Sequence, residues 1–145
     1  MEDCLDIEYK LAIPDNDNFM QYLKFIEVGY IHRKLGATAS PVVSLRKNVD
    51  DTYTFIVYSA LRSVNNTFKL GEEFIEERAD GVKVMSTIMI EGNKLIQVQV
   101  EQNGRTSTHV REFTPDAITV TTTADGWDGK CVRVYKRVVG RLSGA

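Results

Sequence analysis

The stretch Cys131-Val132-Arg133-Val134-Tyr135-Lys136-Arg137 places valines alternately with a thiol, a guanidinium and a phenol. Successive side chains of a strand point to opposite faces, so Val132 and Val134 share one face and Cys131, Arg133 and Tyr135 share the other. An ordinary half-buried strand turns the valines inward and the arginine and tyrosine outward. A closed barrel around a ligand cavity reverses that assignment, because its inner face accommodates a few polar anchors while its outer face carries some apolar side chains. The rest of the chain decides between the two.

Upstream, Leu5, Ile7, Tyr9, Leu11 and Ile13 alternate with polar neighbours and predict a strand from about Cys4 to Ile13. Pro14-Asp15-Asn16-Asp17 ends it and supplies helix caps. The period then changes to helical spacing at Phe19, Tyr22, Leu23, Ile26 and Tyr30, interrupted at Gly29. Two short helices are expected, near 18–26 and 28–38, closed by Gly36 and Pro41. From Pro41 onward the chain reads as a meander of short strands: Val42 to Lys47, Thr52 to Ser59, Arg62 to Leu70, Glu72 to Glu77 and Val82 to Ile90, then Lys94 to Glu101, Arg105 to Phe113, Ala117 to Thr123 and Lys130 to Val138. Their separators, among them Asp80-Gly81, Asn103-Gly104 and Asp125-Gly126, have turn chemistry. Ten strands in hairpin order, with two helices after the first, predict an all-β fold: an antiparallel up-and-down barrel or clam with a two-helix lid. Closure also protects the sheet edges.

Composition narrows the function classes. A length of 145 residues with 26% charged and 43% hydrophobic residues fits one domain, expected over 1–139, with a loose tail over 140–145. A formal net charge of −2 argues against a face built to neutralise phosphates, so nucleic acid is not expected as a partner. The acidic start Met1-Glu2-Asp3-Cys4, the lack of a long apolar run and the absence of lipidation motifs lead to the expectation of a cytosolic protein. Cys4 and Cys131 form neither a disulfide framework nor a metal motif, and reduced thiols are expected. Asn65-Asn66-Thr67 matches a glycosylation sequon that such a protein would not use.

Parity makes a second prediction. Arg105, Ser107, His109, Arg111 and Phe113 share one face of their strand; if Phe113 points inward, His109 and Arg111 do too. Arg111, Arg133 and Tyr135 then converge inside the barrel, where two rigid forks of donors and a hydroxyl suit a carboxylate. Buried arginines are costly unless paired, so the cavity must hold water, an interior acid or an anionic ligand against them. An acyl chain would add burial of about 0.8 kcal/mol per methylene, less its ordering cost. Gln97 and Gln99 share a strand face that is either cavity lining or solvent-facing. His109 reads as a core or lining residue, since no nucleophile with matching spacing, HExxH, Walker loop or paired CxxC accompanies it. His32 reads as exposed, and Trp127 as packing over the barrel end.

Phe68-Lys69-Leu70-Gly71-Glu72-Glu73-Phe74, Ala79-Asp80-Gly81, Val110-Arg111-Glu112 and Cys131-Val132-Arg133-Val134-Tyr135 occur in an order that resembles the intracellular lipid-binding proteins, both fatty acid-binding and cellular retinoic acid-binding. The resemblance runs from about residue 5 to 138 and implies a ten-stranded, lipocalin-like β-clam with a helical lid between its first and second strands. It implies that Arg111, Arg133 and Tyr135 bind a ligand carboxylate, and arginine at both positions favours an acid over an alcohol. Phe19, Tyr22, Leu23, Val28, Leu61 and Asp80 match cavity and portal positions. Departures include Ile7-Glu8-Tyr9 where the family has Gly-x-Trp, Met20 after Asn18-Phe19, an extra residue before Arg105, and more residues around Trp127.

The leading expectation is a non-enzymatic, monomeric carrier of a long-chain fatty acid, with no cofactor and no metal. The nearest alternative is a retinoic acid carrier that also enters the nucleus. Lys24, Arg33 and Lys34 match basic lid positions tied to nuclear import in retinoic acid-binding relatives; they read otherwise as a solvated face or, with Arg62, as a transient contact for anionic membranes. A small enzyme using His109 and the arginines lacks a nucleophile–base pair. An interaction protein whose lid hands ligand to a partner is a third class.

Overall fold

Alternating side chains and turn residues build one antiparallel sheet between Tyr9 and Arg137. The computed structural model describes residues 1–60 and 62–139; the expectations placed on Leu61 and on the tail over 140–145 lie outside the described residues. The strands are β1 (Tyr9–Ile13), β2 (Val42–Lys47), β3 (Tyr53–Tyr58), β4 (Ser63–Phe68), β5 (Phe74–Glu77), β6 (Lys83–Glu91), β7 (Lys94–Val100), β8 (Thr106–Phe113), β9 (Ala117–Ala124) and β10 (Cys131–Arg137). Helices α1 (Asn16–Phe25) and α2 (Tyr30–Thr38) follow β1.

The spatial order β4-β3-β2-β1-β10-β9-β8-β7-β6-β5 pairs the first strand with the last and brings the sheet round into a nearly closed barrel. Strands β4 and β5 are left without a ladder between them. Side chains span that gap: Phe68 stacks on Phe74 with ring centroids 5.9 Å apart, extending its stack with the cross-strand neighbour Tyr53 at 6.1 Å. Arg62 adds an ion pair to Glu77 at 3.8 Å and a bond to the Ala79 carbonyl at 3.1 Å. Aromatic stacking thus substitutes for backbone pairing where the sheet opens.

Two expectations need correction. The first strand does not begin at Cys4: Glu2–Cys4 forms a 3-10 turn, Asp6 has φ 61°, and only Tyr9–Ile13 is strand. The alternation of Leu5 and Ile7 reflects packing of this segment against the barrel end, with Cys4 buried. Asp15 occupies the N-cap position of α1 without capping it. Its carboxylate instead accepts from the Val132 N–H at 2.8 Å, tying the lid's start to β10.

The core fills one end of the barrel. Cys4, Tyr9, Val43, Leu45, Tyr53, Phe55, Phe68, Ile88, Leu95, Phe113 and Ile118 form its cluster. Tyr9 meets Phe113 edge-on at 5.9 Å and donates its hydroxyl to the Thr114 carbonyl at 2.8 Å. A second cluster of Tyr22, Ile26, Val28 and Ala124, with Leu23, Phe25 and Trp127 against it, seats the lid on the opposite end. Trp127 sits 5.7 Å from Tyr22 and 6.4 Å from Phe25, ring to ring, so it packs over the barrel end as expected.

Gly129 makes room for that indole. A Cβ there would lie 2.4 Å from Trp127 Cζ2. Gly129→Ala should therefore displace the ring and lower unfolding stability by about 1–3 kcal/mol. Urea denaturation followed by emission of the single tryptophan checks this; an unchanged midpoint and spectrum would mean that the turn absorbs the methyl without moving the indole.

Candidate functional site

Parity places the polar side chains inside. Because Phe113 is buried in the core, Arg111, His109 and Ser107 on the same face of β8 also turn inward. On β10, Cys131 and Arg133 are buried while Val132 and Val134 lie on the outer face, half-buried. The barrel assignment of the opening stretch therefore holds. Arg111 and Arg133 both pair with Val120 of the intervening strand, so their backbones flank one point of β9.

A cavity of about 550 Å³ lies between this wall and the lid. Phe19, Tyr22, Leu23, Val28, Asp80, Gln99, His109, Arg111, Arg133 and Tyr135 all line it; Leu61 lies outside the described residues. Its opposite wall, from β2 to β4, presents Val43, Phe55, Val57 and Val64.

The guanidiniums are held by neutral partners. Arg111 Nη1 donates to Gln97 Oε1 at 2.9 Å, and its Cζ sits 4.8 Å from the Phe55 ring centre. Arg133, only 7% exposed, lies 3.8 Å over the Phe19 ring and donates to the Pro14 carbonyl at 3.3 Å. Neither forms an ion pair among the described residues. Burial pulls the pKa of Arg111 below its ordinary value, opposed by Tyr135 and Glu76 nearby. An interior of this kind favours a neutralising anion.

Glu76 is the interior acid that the sequence reading left unidentified. Its Oε1 accepts from Ser86 Oγ at 2.6 Å, Gln97 Nε2 at 2.8 Å and Gln99 Nε2 at 2.9 Å. The signal was available, since Glu76 shares a strand face with Phe74. Gln97 links this carboxylate to Arg111, so the acid reaches the guanidinium through one amide. Gln99 makes a parallel link to His109, whose Nε2 lies 2.7 Å from Gln99 Oε1 and whose Nδ1 lies 2.8 Å from Thr122 Oγ1. Gln97 and Gln99 are thus inside, settling the alternative left open for them. Burial, with the Arg111 charge second, pulls the His109 pKa down to about 3.

A second network pins the lid. Arg105 donates to Glu101 at 2.7 and 2.8 Å, to Glu27 at 3.0 Å, and to the carbonyls of Phe25 and Ile26 at 3.2 Å each. Glu101 continues to Arg78 at 3.5 Å, and Arg78 grips Asp80 with two bonds of 2.9 and 2.7 Å. Burial disfavours the Asp80 anion, but the Arg78 bonds and charge outweigh it and hold that carboxyl below the usual range. Tyr22 adds a buried bond to Ser107 Oγ at 2.8 Å. Arg78, Glu101 and Arg105 belong to turns and strand ends, where spacing gave no sign of a cluster. Of the basic lid residues, Arg33 is engaged by the Val28 carbonyl at 2.6 Å and Arg62 by Glu77, whereas Lys24 and Lys34 are exposed.

Residues 9–138 match the sequence model of the Lipocalin / cytosolic fatty-acid binding protein family. A fatty acid-binding protein of Tyrophagus putrescentiae is 43% identical over 134 residues, covering 92% of this chain and 97% of that one. The muscle fatty acid-binding protein of Schistocerca gregaria is 41% identical over 132 residues, 90% and 93% of the two chains. Among solved structures, the fatty acid-binding protein from Drosophila melanogaster brain superposes with a TM-score of 0.82 at 41% identity, covering 92% of this chain and 98% of that one. The Schistosoma mansoni fatty acid-binding protein in complex with arachidonic acid gives 0.85 at 31% identity, covering 95% and 98%.

His109 sets a pH dependence. Its folded pKa of about 3 lies below its ordinary value of 6.5, so the unfolded chain binds a proton that the folded one refuses. The stability contributed is complete above pH 6.5 and is lost as pH falls toward 3. Wild-type protein should lose about 2 kcal/mol more than His109→Gln between pH 7 and pH 5. Urea unfolding of both proteins at the two pH values checks it; equal losses would place the imidazole in contact with water.

Proposed function

The chain belongs to the lipocalin / cytosolic fatty-acid binding protein family, and we propose on that premise that it is a non-enzymatic carrier of a long-chain fatty acid. The ligand lies in the barrel with its carboxylate at Arg111, Arg133 and Tyr135. The observation that carries this reading is a pair of interior guanidiniums with no acid in ion-pair contact among the described residues.

A carboxylate entering the cavity exchanges neutral partners for a charge-assisted one. Arg133 needs only to turn from Phe19 and the Pro14 carbonyl, and Arg111 from Gln97. The hydrocarbon chain then runs along Phe55, Val57 and Val64 toward Leu35 and the lid. Each buried methylene contributes about 0.8 kcal/mol, reduced by the cost of ordering the chain. The arachidonic acid in the Schistosoma mansoni protein supports an unsaturated acid as one suitable occupant.

This carrier is a cytosolic monomer that reaches membranes through α2. Tyr30, Ile31 and Leu35 are 63%, 70% and 43% exposed, beside Lys24 and Lys34. Apolar side chains flanked by lysines suit brief contact with an anionic bilayer. Arg33 is partly committed to the protein's own backbone, which weakens the case for a three-cation nuclear-import surface.

Arg133→Leu and Arg111→Leu should each weaken oleate binding roughly ten- to a hundredfold, with the barrel still folded by circular dichroism. Titration of a fluorescent fatty acid probe and its displacement by oleate measures this; unchanged affinity removes the arginine from the anchor. Competition between oleate and retinoic acid in the same assay separates the two carrier readings. Lys24→Glu with Lys34→Glu should slow ligand transfer to anionic vesicles while oleate affinity is retained. Unaltered transfer rates would argue against α2 as the membrane contact.

A further inference from the structure

The wall beyond Arg111 carries polar groups that a carboxylate anchor leaves unused. Gln99, His109 and Thr122 all line the cavity, with Gln99 and Thr122 only 9% and 5% exposed. Glu76 fixes how they bond. Its Oε1 accepts from Gln99 Nε2, which turns the Gln99 Oε1 toward His109. His109 then donates from Nε2, and its bare Nδ1 accepts the Thr122 hydroxyl at 2.8 Å. The neutral imidazole that burial imposes agrees with this tautomer.

Capacity is left over at both ends of the chain. Gln99 Nε2 keeps a second hydrogen, and Thr122 Oγ1 keeps its lone pairs, with no partner for either among the described residues. Each atom already makes one bond, and on a cavity wall its remaining capacity suits water or a polar group on the occupant.

We propose that Gln99, His109 and Thr122 form a second polar station, which takes a hydroxyl on the ligand's hydrocarbon chain and so admits hydroxylated long-chain carboxylic acids alongside plain ones. The station rests on the carboxylate anchor argued above. A hydroxyl both donates and accepts, so it can use either the Gln99 N–H or the Thr122 oxygen. A ketone only accepts and is served by Gln99 alone. His109 stands two residues from Arg111 on the same face of β8, about 7 Å along the strand, which places the hydroxyl in the carboxyl-proximal part of the chain.

The test measures stearate, stearic acids hydroxylated singly at successive positions along the carboxyl half, and the matching ketones, by displacement of a fluorescent fatty acid probe. On an apolar wall, burying a hydroxyl weakens binding roughly tenfold or more. In the wild type at least one hydroxy isomer should bind within about threefold of stearate or more tightly, ahead of its ketone. His109→Phe, and Thr122→Val as the near-isosteric second variant, should each widen the gap between that isomer and stearate roughly tenfold. The readout is the ratio within one variant, so a general loss of affinity does not imitate the result. Near-ultraviolet circular dichroism confirms folding. The station is overturned if every hydroxy isomer is roughly tenfold weaker than stearate in the wild type, or if neither folded variant changes the gap. Failure of stearate itself to bind the wild type overturns the carrier reading, and the station falls with it.

Discussion

A guanidinium inside a barrel calls for negative charge, and here an interior acid, Glu76, is held one amide away from Arg111. Glu76 gathers Ser86, Gln97 and Gln99 on a single carboxylate oxygen, and Gln97 passes the influence on to Arg111. The separation matters energetically. A direct Glu76–Arg111 pair would satisfy both charges and leave little for a ligand to gain, whereas a completely unopposed guanidinium would make the empty barrel costly. Through one amide, the acid supports the folded state without consuming the site. The arrangement depends on amide orientation, since only the turn that gives Nε2 to Glu76 leaves Oε1 for Arg111.

The lid is fastened unevenly, and that asymmetry locates the easy motion. Helix α1 is tied at its start by Asp15 to the Val132 N–H, along its length by Tyr22 to Ser107, and at its end by Arg105 to two helix-terminal carbonyls. The clasp runs on through Glu101 and Arg78 to Asp80 at the cavity rim. Helix α2 contains no buried residue, and its Gly36 lies against the Leu23 and Phe19 side chains of α1. Segments with few buried contacts lie at the low-stability end of a structure. Opening at α2 therefore disturbs much less than lifting α1.

Much of the fold was legible because parity leaves few choices. Once Phe113 and the barrel closure are granted, the inward turn of Arg111, His109 and Arg133 follows from a two-residue period. The same rule would have found Glu76, which shares a face with Phe74. What defeated the reading at β1 was tertiary: Leu5 and Ile7 alternate like a strand, yet they belong to a segment folded against the barrel end, where burial and not pairing selects apolar residues. Asp15 was misread similarly, as a local cap, because a bond to Val132 across 117 positions has no sequence signature. The Arg105 clasp was illegible for that reason too. Its members sit at turns and element ends separated by up to 80 positions, joined only when the barrel closes.

The division of the cavity into two unlike walls gives an occupant its orientation. Val43, Phe55, Val57 and Val64 line the side made by β2 to β4, while Gln99, His109, Arg111, Thr122, Arg133 and Tyr135 line the side made by β7 to β10. A uniformly apolar cavity of this volume would hold a chain in many registers, each with similar burial. Fixed donors along one wall remove that degeneracy, because a misplaced polar group forfeits hydrogen bonds that the wall supplies only at set positions. Phe55 belongs to both descriptions: it is part of the apolar wall and lies under the Arg111 guanidinium. The ring shields that charge from one side without neutralising it. A carboxylate bound at Arg111, as proposed, would therefore meet the guanidinium on the side away from the Phe55 ring.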